Sequence, residues 1–470
     1  MEVIFEALEY TSEDTFVQGE YRFSGSTESG WTITRNGRAH LTLGRGYRLL
    51  RTLYCGICST DLARRYMPFP LPQIIGHEAV ARDEEGRNYI VEINDTCVSR
   101  GDVSPEIFCK SGLPTHCPGR MVLGIDRLPG GFAPWILVPE YAAIPIDDLP
   151  PRSAVLIEPF AAALHAVTVS PPCSGDSVAV VGAGRLGLLI VAALAAQRQV
   201  GGYHFAITVL DVNSGNLDRA RVLGADDVIV VYSDTPHKLR GHFDTVFDAS
   251  GTPEGLDLAL AISRREVHLK STHGREYHGI KHLTELVVDE LSLLTFSTEN
   301  LDYLWSKNDN INKWVYIAPG CGSVDIPNRF KQYHDVISSA ESYLKGKDFY
   351  NRIPRFDIAI ASSAEEIDLC IRPSSNNEQS LVKPRGAILF KGSGKANPLL
   401  NFINSGKRIR TSRCGNFKEA INCIKKDIGI LTSMEKNIIT HEFPVSQLAD
   451  AFDTARGDDA IKVIIHHKDS

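Results

Sequence analysis

With 470 residues and a mass of 51.7 kDa, the chain exceeds what one hydrophobic core usually serves; this predicts two or three domains and excludes a small disulfide-held scaffold. Apolar residues at 43% against 23% charged describe a globular chain, not a disordered one. Fifty Lys and Arg against 57 Asp and Glu, a formal charge of −7, exclude a general nucleic-acid or membrane-surface binder, because a phosphate-rich partner asks for a basic excess.

At the N-terminus Glu2 and Glu6 stand where a secretory signal would carry basic residues, so no export is expected. Ten cysteines spread over this length suit a reducing compartment, read as the cytoplasm, better than a disulfide framework. Up to about residue 150, short β-rich runs such as YRFSG, WTITRNG, AHLTLGRG, YRLLRTLY and NYIVEIND are broken by Gly, Pro and Asn, predicting an irregular all-β unit. This stretch contains Cys58 in CGICSTD and His77 with Glu78 in IIGHEAV, and Glu158 follows in IEPFAAALHA. Each places a zinc-compatible group beside a Gly or Pro turn. The same residues also read as a buried thiol, a core imidazole and a helix N-terminal carboxylate, so spacing alone leaves the metal question open.

After Pro150 apolar strands alternate with helical segments (SVAVVGAG, LGLLIVAALAA, FAITVLD, NLDRARVLGA, DVIVV), which implies crossover units and a parallel sheet. Val178 to Ala196 is apolar enough to mimic a membrane span, yet three glycines and Arg185 make a buried strand and helix the better reading. Gly182, Gly184 and Gly187, with Arg185 and Leu186 between the last two, form G-x-G-x-x-G directly after a strand and at the start of a helix. There the first glycine permits a tight turn, the second lets backbone approach a pyrophosphate, and the third allows close helix-to-strand packing. Asp211 ends the next strand, where a carboxylate accepts hydrogen bonds from ribose hydroxyls and repels a 2′-phosphate; this favours NAD over NADP. Arg219 could serve a 2′-phosphate instead, but its helical run reads as a solvated face.

Later, FDTVFDASGTPEGLDLAL from Phe243 is echoed by FDIAIASSAEEIDLCI from Phe356, and each leads to a strand, EVHLKSTHG and GAILFKGSG. With so few matched positions, chance and duplication are both open. Between the copies, WVYIAPGCGSVDIP reads as a strand and turn in a stretch that could be a lobe, a lid or part of a widened sheet.

Taken in chain order, GICSTDL, GHE, EPFAAALHA, GAGRLG and LD resemble the zinc-dependent medium-chain alcohol dehydrogenases, in particular their threonine- and polyol-dehydrogenase-like branch. The likeness runs over about residues 40 to 275 and resumes at Thr411–Ile421 and through to Ile465. It implies an α/β fold: a GroES-like β-rich catalytic domain at 1–150 and a doubly wound Rossmann NAD-binding domain at 151–296. An insertion or partial duplication then occupies 297–385, the Rossmann domain continues over 386–438, and residues 439–470 return to the catalytic domain. By the same resemblance Cys58, His77 and Glu158 are the ligands of a catalytic zinc, Glu78 is a neighbouring or exchangeable ligand, and Thr60 passes the alcohol proton outward. Asp61 would orient a ligand by hydrogen bonding. The implied activity is hydride transfer between a small-molecule alcohol, polyol- or hydroxy-amino-acid-like, and NAD, in a dimer or tetramer formed through the Rossmann sheet edge.

Two departures bear on that implication. A relay His a few residues past the catalytic Cys is replaced by Ala63, Arg64 and Arg65; His165 could substitute or simply pack, and the arginines read as a solvated pair or as contacts to an anionic substrate. A structural zinc lobe would need four thiolates, but only Cys97, Cys109 and Cys117 are present, with Glu106 in a fourth cysteine's place and His116 as a substitute. The remaining cysteines read as packing residues. These departures keep two alternatives in view: a redox-inactive descendant that binds NAD and zinc, and a zinc-free reductase of conjugated double bonds.

Overall fold

The computed structural model describes residues 1–467 except 103–104, 307–312, 328–329, 335–339, 341, 343–352, 374–378 and 395–396. Part of the expected insertion at 297–385 therefore lies outside the described residues. The chain divides into two compact units, Met1–Ala161 with Asn416–Ser470, and Ala162–Gly415.

The first unit is β-rich. Glu2–Tyr10, Phe16–Ser26, Gly30–Arg35 and Arg38–Leu43 form an antiparallel four-stranded sheet in sequential order. Alternation along EVIFEALEY turns Phe5, Ala7 and Glu9 inward. Glu9 is a buried carboxylate that accepts a 2.6 Å bond from the Tyr21 hydroxyl and another of 2.6 Å from Arg35 Nη2. Gly19 lies opposite, where a Cβ would come within 2.7 Å of the Glu9 carboxylate. The second sheet is centred on Tyr47–Gly56, which pairs with Glu78–Arg82, Trp135–Pro139 and the C-terminal strand Lys462–His466. Chain ends more than 400 residues apart in sequence thus meet in one sheet. Aromatic and aliphatic residues from both sheets, with Phe452, Val463 and Ile465 of the C-terminal segment, share one core.

The second unit is an α/β layer structure with eleven strands among the described residues, numbered here within it: β1 Ser177–Val181, β2 Ala206–Asp211, β3 Asp227–Val230, β4 Phe243–Asp248, β5 Ser263–Leu269, β6 Ser292–Thr295, β7 Lys313–Ile317, β8 Phe330–His334, β9 Phe356–Ala361, β10 Val382–Phe390 and β11 Arg408–Thr411. Their order is 3-2-1-4-5-11-6-10-9-7-8. Strands such as SVAVV and FDIAIA are nearly continuous apolar runs because a parallel sheet with helices on its faces buries both sides. The helix Arg185–Gly201 follows β1 and buries its apolar residues from Gly187 to Ala196, so the membrane-like stretch is a core strand and helix. No helix among the described residues is long and apolar enough to cross a membrane.

Replacing Glu9 by Ala would leave Arg35 and Tyr21 facing an empty, desolvated position, and loss of one partner of a buried pair costs about 3 kcal/mol. The expected outcome is a clear drop in thermal midpoint of the full chain; an unchanged midpoint would show that the pair adds nothing.

Candidate functional site

In the first unit the turn that ends Tyr47–Gly56 places Cys58 at the N-cap of the short helix Ser59–Leu62. Asp61, in that helix, is almost fully buried; its Oδ2 accepts the Cys58 backbone N–H at 2.8 Å and its Oδ1 lies 3.2 Å from His77 Nδ1. One carboxylate thereby fixes the backbone of the thiol and faces the far side of the imidazole, as partners of metal-binding histidines commonly do. Ligand atoms of Cys58, His77 and Glu78 all lie within 4.8 Å of one another. Burial disfavours a charged His77, but the Asp61 and Cys58 charges and hydrogen bonds outweigh it and hold the imidazole pKa well above its ordinary value. Thr60 Oγ1 lies 3.7 Å from the Cys58 sulfur.

Glu78 is fully buried and has both oxygens on Lys462 Nζ, at 2.6 and 2.7 Å. Its carboxylate is neutralised by that lysine, which also donates to the Ile57 carbonyl. Glu158, in the first turn of the helix Ile157–Val169, stands outside the mutual group of three. Burial pushes its pKa up to about 7, with His77 pulling it down and Glu78 pushing it further up. The donor set of Cys58, His77 and a desolvated carboxyl suits a four-coordinate zinc with one open position. The sequence reading missed Lys462, for which the only signal was a lone lysine inside the apolar strand AIKVII.

The three lobe cysteines also converge: Cys97, Cys109 and Cys117 are buried with sulfurs within 4.8 Å of one another, those of Cys97 and Cys117 being 3.3 Å apart. Burial pushes Cys109 up to about 12, whereas at Cys117 donation from the Cys97 backbone and from both neighbouring thiols overcomes burial and lowers the pKa. Glu106 does not complete this group. It is an exposed N-cap residue of the short helix Ile107–Lys110, and it is its backbone N–H, not its carboxylate, that faces the Cys97 sulfur. His116 Nδ1 is engaged with the Thr115 hydroxyl at 3.2 Å. Arg64 is no solvated charge: fully buried, it donates to the carbonyls of Phe69, Pro70 and Ile125 and to Gln73, which ties down the loop before His77. Arg65 is exposed and contacts Tyr66 and Asp14.

In the second unit the G-x-G-x-x-G loop joins β1 to its helix. Gly182 has φ +93° and sits so close to the Ala249–Ser250 backbone that a Cβ would lie 2.9 Å from Ser250 Cα; a Cβ at Gly187 would collide with the Gly182 carbonyl. Gly184, the helix N-cap, faces open space, with nothing within 4 Å of a Cβ built there. Arg185 and Leu186 open that helix and are half-buried. Asp211 ends β2, its Oδ2 accepting the Ala183 N–H and its Oδ1 the Asn213 N–H. A residue not anticipated is Asp248, at the end of β4: buried, it accepts from the Ser250 N–H and hydroxyl, and burial pushes its pKa up to about 6. His165 is committed elsewhere, with Nε2 2.8 Å from Glu290, which also accepts from Arg385 and the Arg413 N–H. Cys173 is exposed, so it is not a packing residue.

Residues 44–148 match the alcohol dehydrogenase GroES-like domain family. The L-threonine 3-dehydrogenase of Aeromonas hydrophila is 30% identical over 234 residues, covering 47% of this chain and 64% of that enzyme. Over the matched stretch the chain is similar to the medium-chain alcohol dehydrogenases. Its similarity is to the threonine and polyol dehydrogenase branch, although the match spans less than two thirds of the length of that relative. Among solved structures, an alcohol dehydrogenase of Thermotoga maritima superimposes with a TM-score of 0.57 at 16% identity, covering 99% of this chain and 100% of that one. An Escherichia coli alcohol dehydrogenase in complex with NADH gives 0.56 at 18%, covering 98% and 99%. At such identities these two show the fold alone, a GroES-like domain with a Rossmann sheet.

The Glu290 cluster yields a pH test. Burial opposes its ionisation, but the His165 hydrogen bond and the Arg385 charge win and hold its pKa well below the usual carboxylate range. A lowered folded pKa means stability that is present above the unfolded pKa and lost as pH falls through the folded value. Glu290→Gln is therefore expected to lower the thermal midpoint at pH 7, by an amount corresponding to about 3 kcal/mol, with the gap to wild type closing below about pH 4. A gap constant with pH would contradict the assignment.

Proposed function

We propose that this protein is a zinc-dependent oxidoreductase that transfers a hydride between an alcohol, of polyol or hydroxy-amino-acid type, and NAD. The observation that carries the reading is the convergence of Cys58 and His77 on one buried point, with Asp61 fixing both. Similarity to threonine dehydrogenases supports the reaction class and the alcohol type.

Cys58, His77 and Glu158 would hold the zinc, with Glu78 the poorer donor while Lys462 holds both its oxygens. Zinc, when bound, supplies a Lewis acid that lowers the pKa of an alcohol. The chain's own residues do the rest. Asp61 keeps the Cys58 amide and the imidazole oriented, so the donors need no reorganisation when substrate arrives. The Thr60 hydroxyl, beside the Cys58 sulfur, is the first group able to take the alcohol proton outward, a role that fits the lack of a histidine at 63–65. In the second unit Gly182, Gly184 and Gly187, with Arg185 and Leu186, would cradle the pyrophosphate at the helix N-terminus. Asp211, which accepts from the Ala183 and Asn213 amides, would bind the ribose hydroxyls and disfavour a 2′-phosphate, which favours NAD.

In the purified full chain, Cys58→Ser is expected to abolish zinc retention at this site and NADH production across a panel of polyols and hydroxy-amino acids, with NAD affinity unchanged; undiminished turnover would refute the site. Asp61→Ala is expected to weaken zinc about 10- to 100-fold while Cys58 and His77 remain. Asp211→Ala should raise NADP use relative to NAD, and an unaltered ratio would count against its ribose role.

A further inference from the structure

We infer that β6 to β11 are a second copy of the cofactor half, standing in one chain where a second chain would complete the sheet, and that this copy takes no nucleotide. Outward from the centre, one side reads β11, β5, β4, β1, β2, β3 and the other β6, β10, β9, β7, β8. In chain order the strands β1, β2, β4, β5, β6 thus correspond to β7, β8, β9, β10, β11. Every pairing is parallel except the central one, where β6 meets β11 antiparallel at Leu293 and Ile409. Two parallel halves joined by one antiparallel pair are what a two-fold axis through that pair generates.

Local detail repeats as well. Asp244 in β4 accepts the backbone N–H of Ser177 in β1 at 2.8 Å and pairs with Arg264; Asp357 in β9 accepts that of Trp314 in β7 at 2.7 Å and pairs with Lys383. The register slips at the same place, after Phe243 in one half and after Phe356 in the other. The next helices, Pro253–Ile262 and Ala364–Ile371, are both capped by a hydroxyl, from Thr252 and Ser363. Chance resemblance of two strand-helix units does not require a shared slip, a shared aspartate and a shared neighbour, so the echo from Phe243 and Phe356 is duplication.

The last strands are exchanged. β6 follows β5 along the chain yet pairs with β10, while β11 follows β10 yet pairs with β5. Each half takes its last strand from the other, the reciprocal trade of a domain swap carried out within one molecule. The sheet edge through which a dimer was expected is therefore already paired.

The copies differ at the switch point, where the strand order reverses and nucleotides bind. After β1 the loop is open at Gly184. After β7, the Gly320 N–H donates to Glu366 Oε1 at 2.7 Å, while the Ser362 N–H and hydroxyl each donate to Oε2 at 2.8 Å. Lys391 Nζ ties the same loop down through the Cys321 and Ser323 carbonyls. A carboxylate of the chain sits where the first half leaves room for a phosphate.

Two measurements on the full chain test this. With Leu293→Cys and Ile409→Cys together, oxidation is expected to give a cross-link that stays at the mass of one chain; a covalent two-chain product would overturn the proposal, because the last strands would then be exchanged between molecules. Should that variant fold poorly, titration of the wild-type chain with NADH decides: saturation at one nucleotide per chain is expected, and two per chain would overturn it. The count rests on the cofactor reading above, and no binding at all would bear on that reading alone, leaving the cross-link to decide here.

Discussion

The Asp61 carboxylate, desolvated within a short helix, binds the Cys58 amide and faces the His77 ring, and the rest of the site in the first unit is arranged around it. Such a charge is expensive to bury and is tolerated only where donors surround it. Here the donor is the Cys58 amide, and the His77 ring, drawn toward its protonated form, lies 3.2 Å away. Glu78 sits next to this network as a second buried carboxylate, and Lys462 from the last strand answers it. The C-terminal segment therefore does more than complete a sheet: it brings a cation, Lys462, to the buried Glu78 beside Cys58 and His77.

The second unit solves a different problem. A parallel sheet ends in an unpaired edge that has to be covered, and this chain covers it with strands of its own. Because β6 and β11 cross over, neither half has a complete sheet without the other, and one core runs from Ala179 to Ile409. The second half has kept what holds a sheet together, its aspartate clamps and helix caps, and has filled the crevice where the first half would take a nucleotide.

Much of this was legible in the sequence, for identifiable reasons. GICSTD, GHE and GAGRLG are legible because their glycines meet hard steric limits, as at Gly182 and Gly187, where a side chain cannot fit. The strand and helix alternation after Pro150 is legible because burial of both sheet faces leaves long apolar runs. What was illegible depends on contacts distant in sequence. Lys462 and Glu78 are 384 positions apart, and no periodicity links them. The exchange of β6 and β11 leaves no trace, since a buried strand has the same composition whichever neighbour it pairs with. Arg64 reads as solvated because arginines usually are; only the fold brings three carbonyls around it. Glu106 lies outside the group formed by Cys97, Cys109 and Cys117, and meets Cys97 through its backbone N–H.

The central claim is that the Cys58 thiolate and the His77 imidazole share one metal ion. Replacing the bound metal of the full chain with cobalt and recording its absorption tests this most directly. The account requires a thiolate-to-cobalt charge-transfer band that loses the Cys58 contribution in Cys58→Ser and shifts in Asp61→Ala. A spectrum identical in wild type and Cys58→Ser would contradict it.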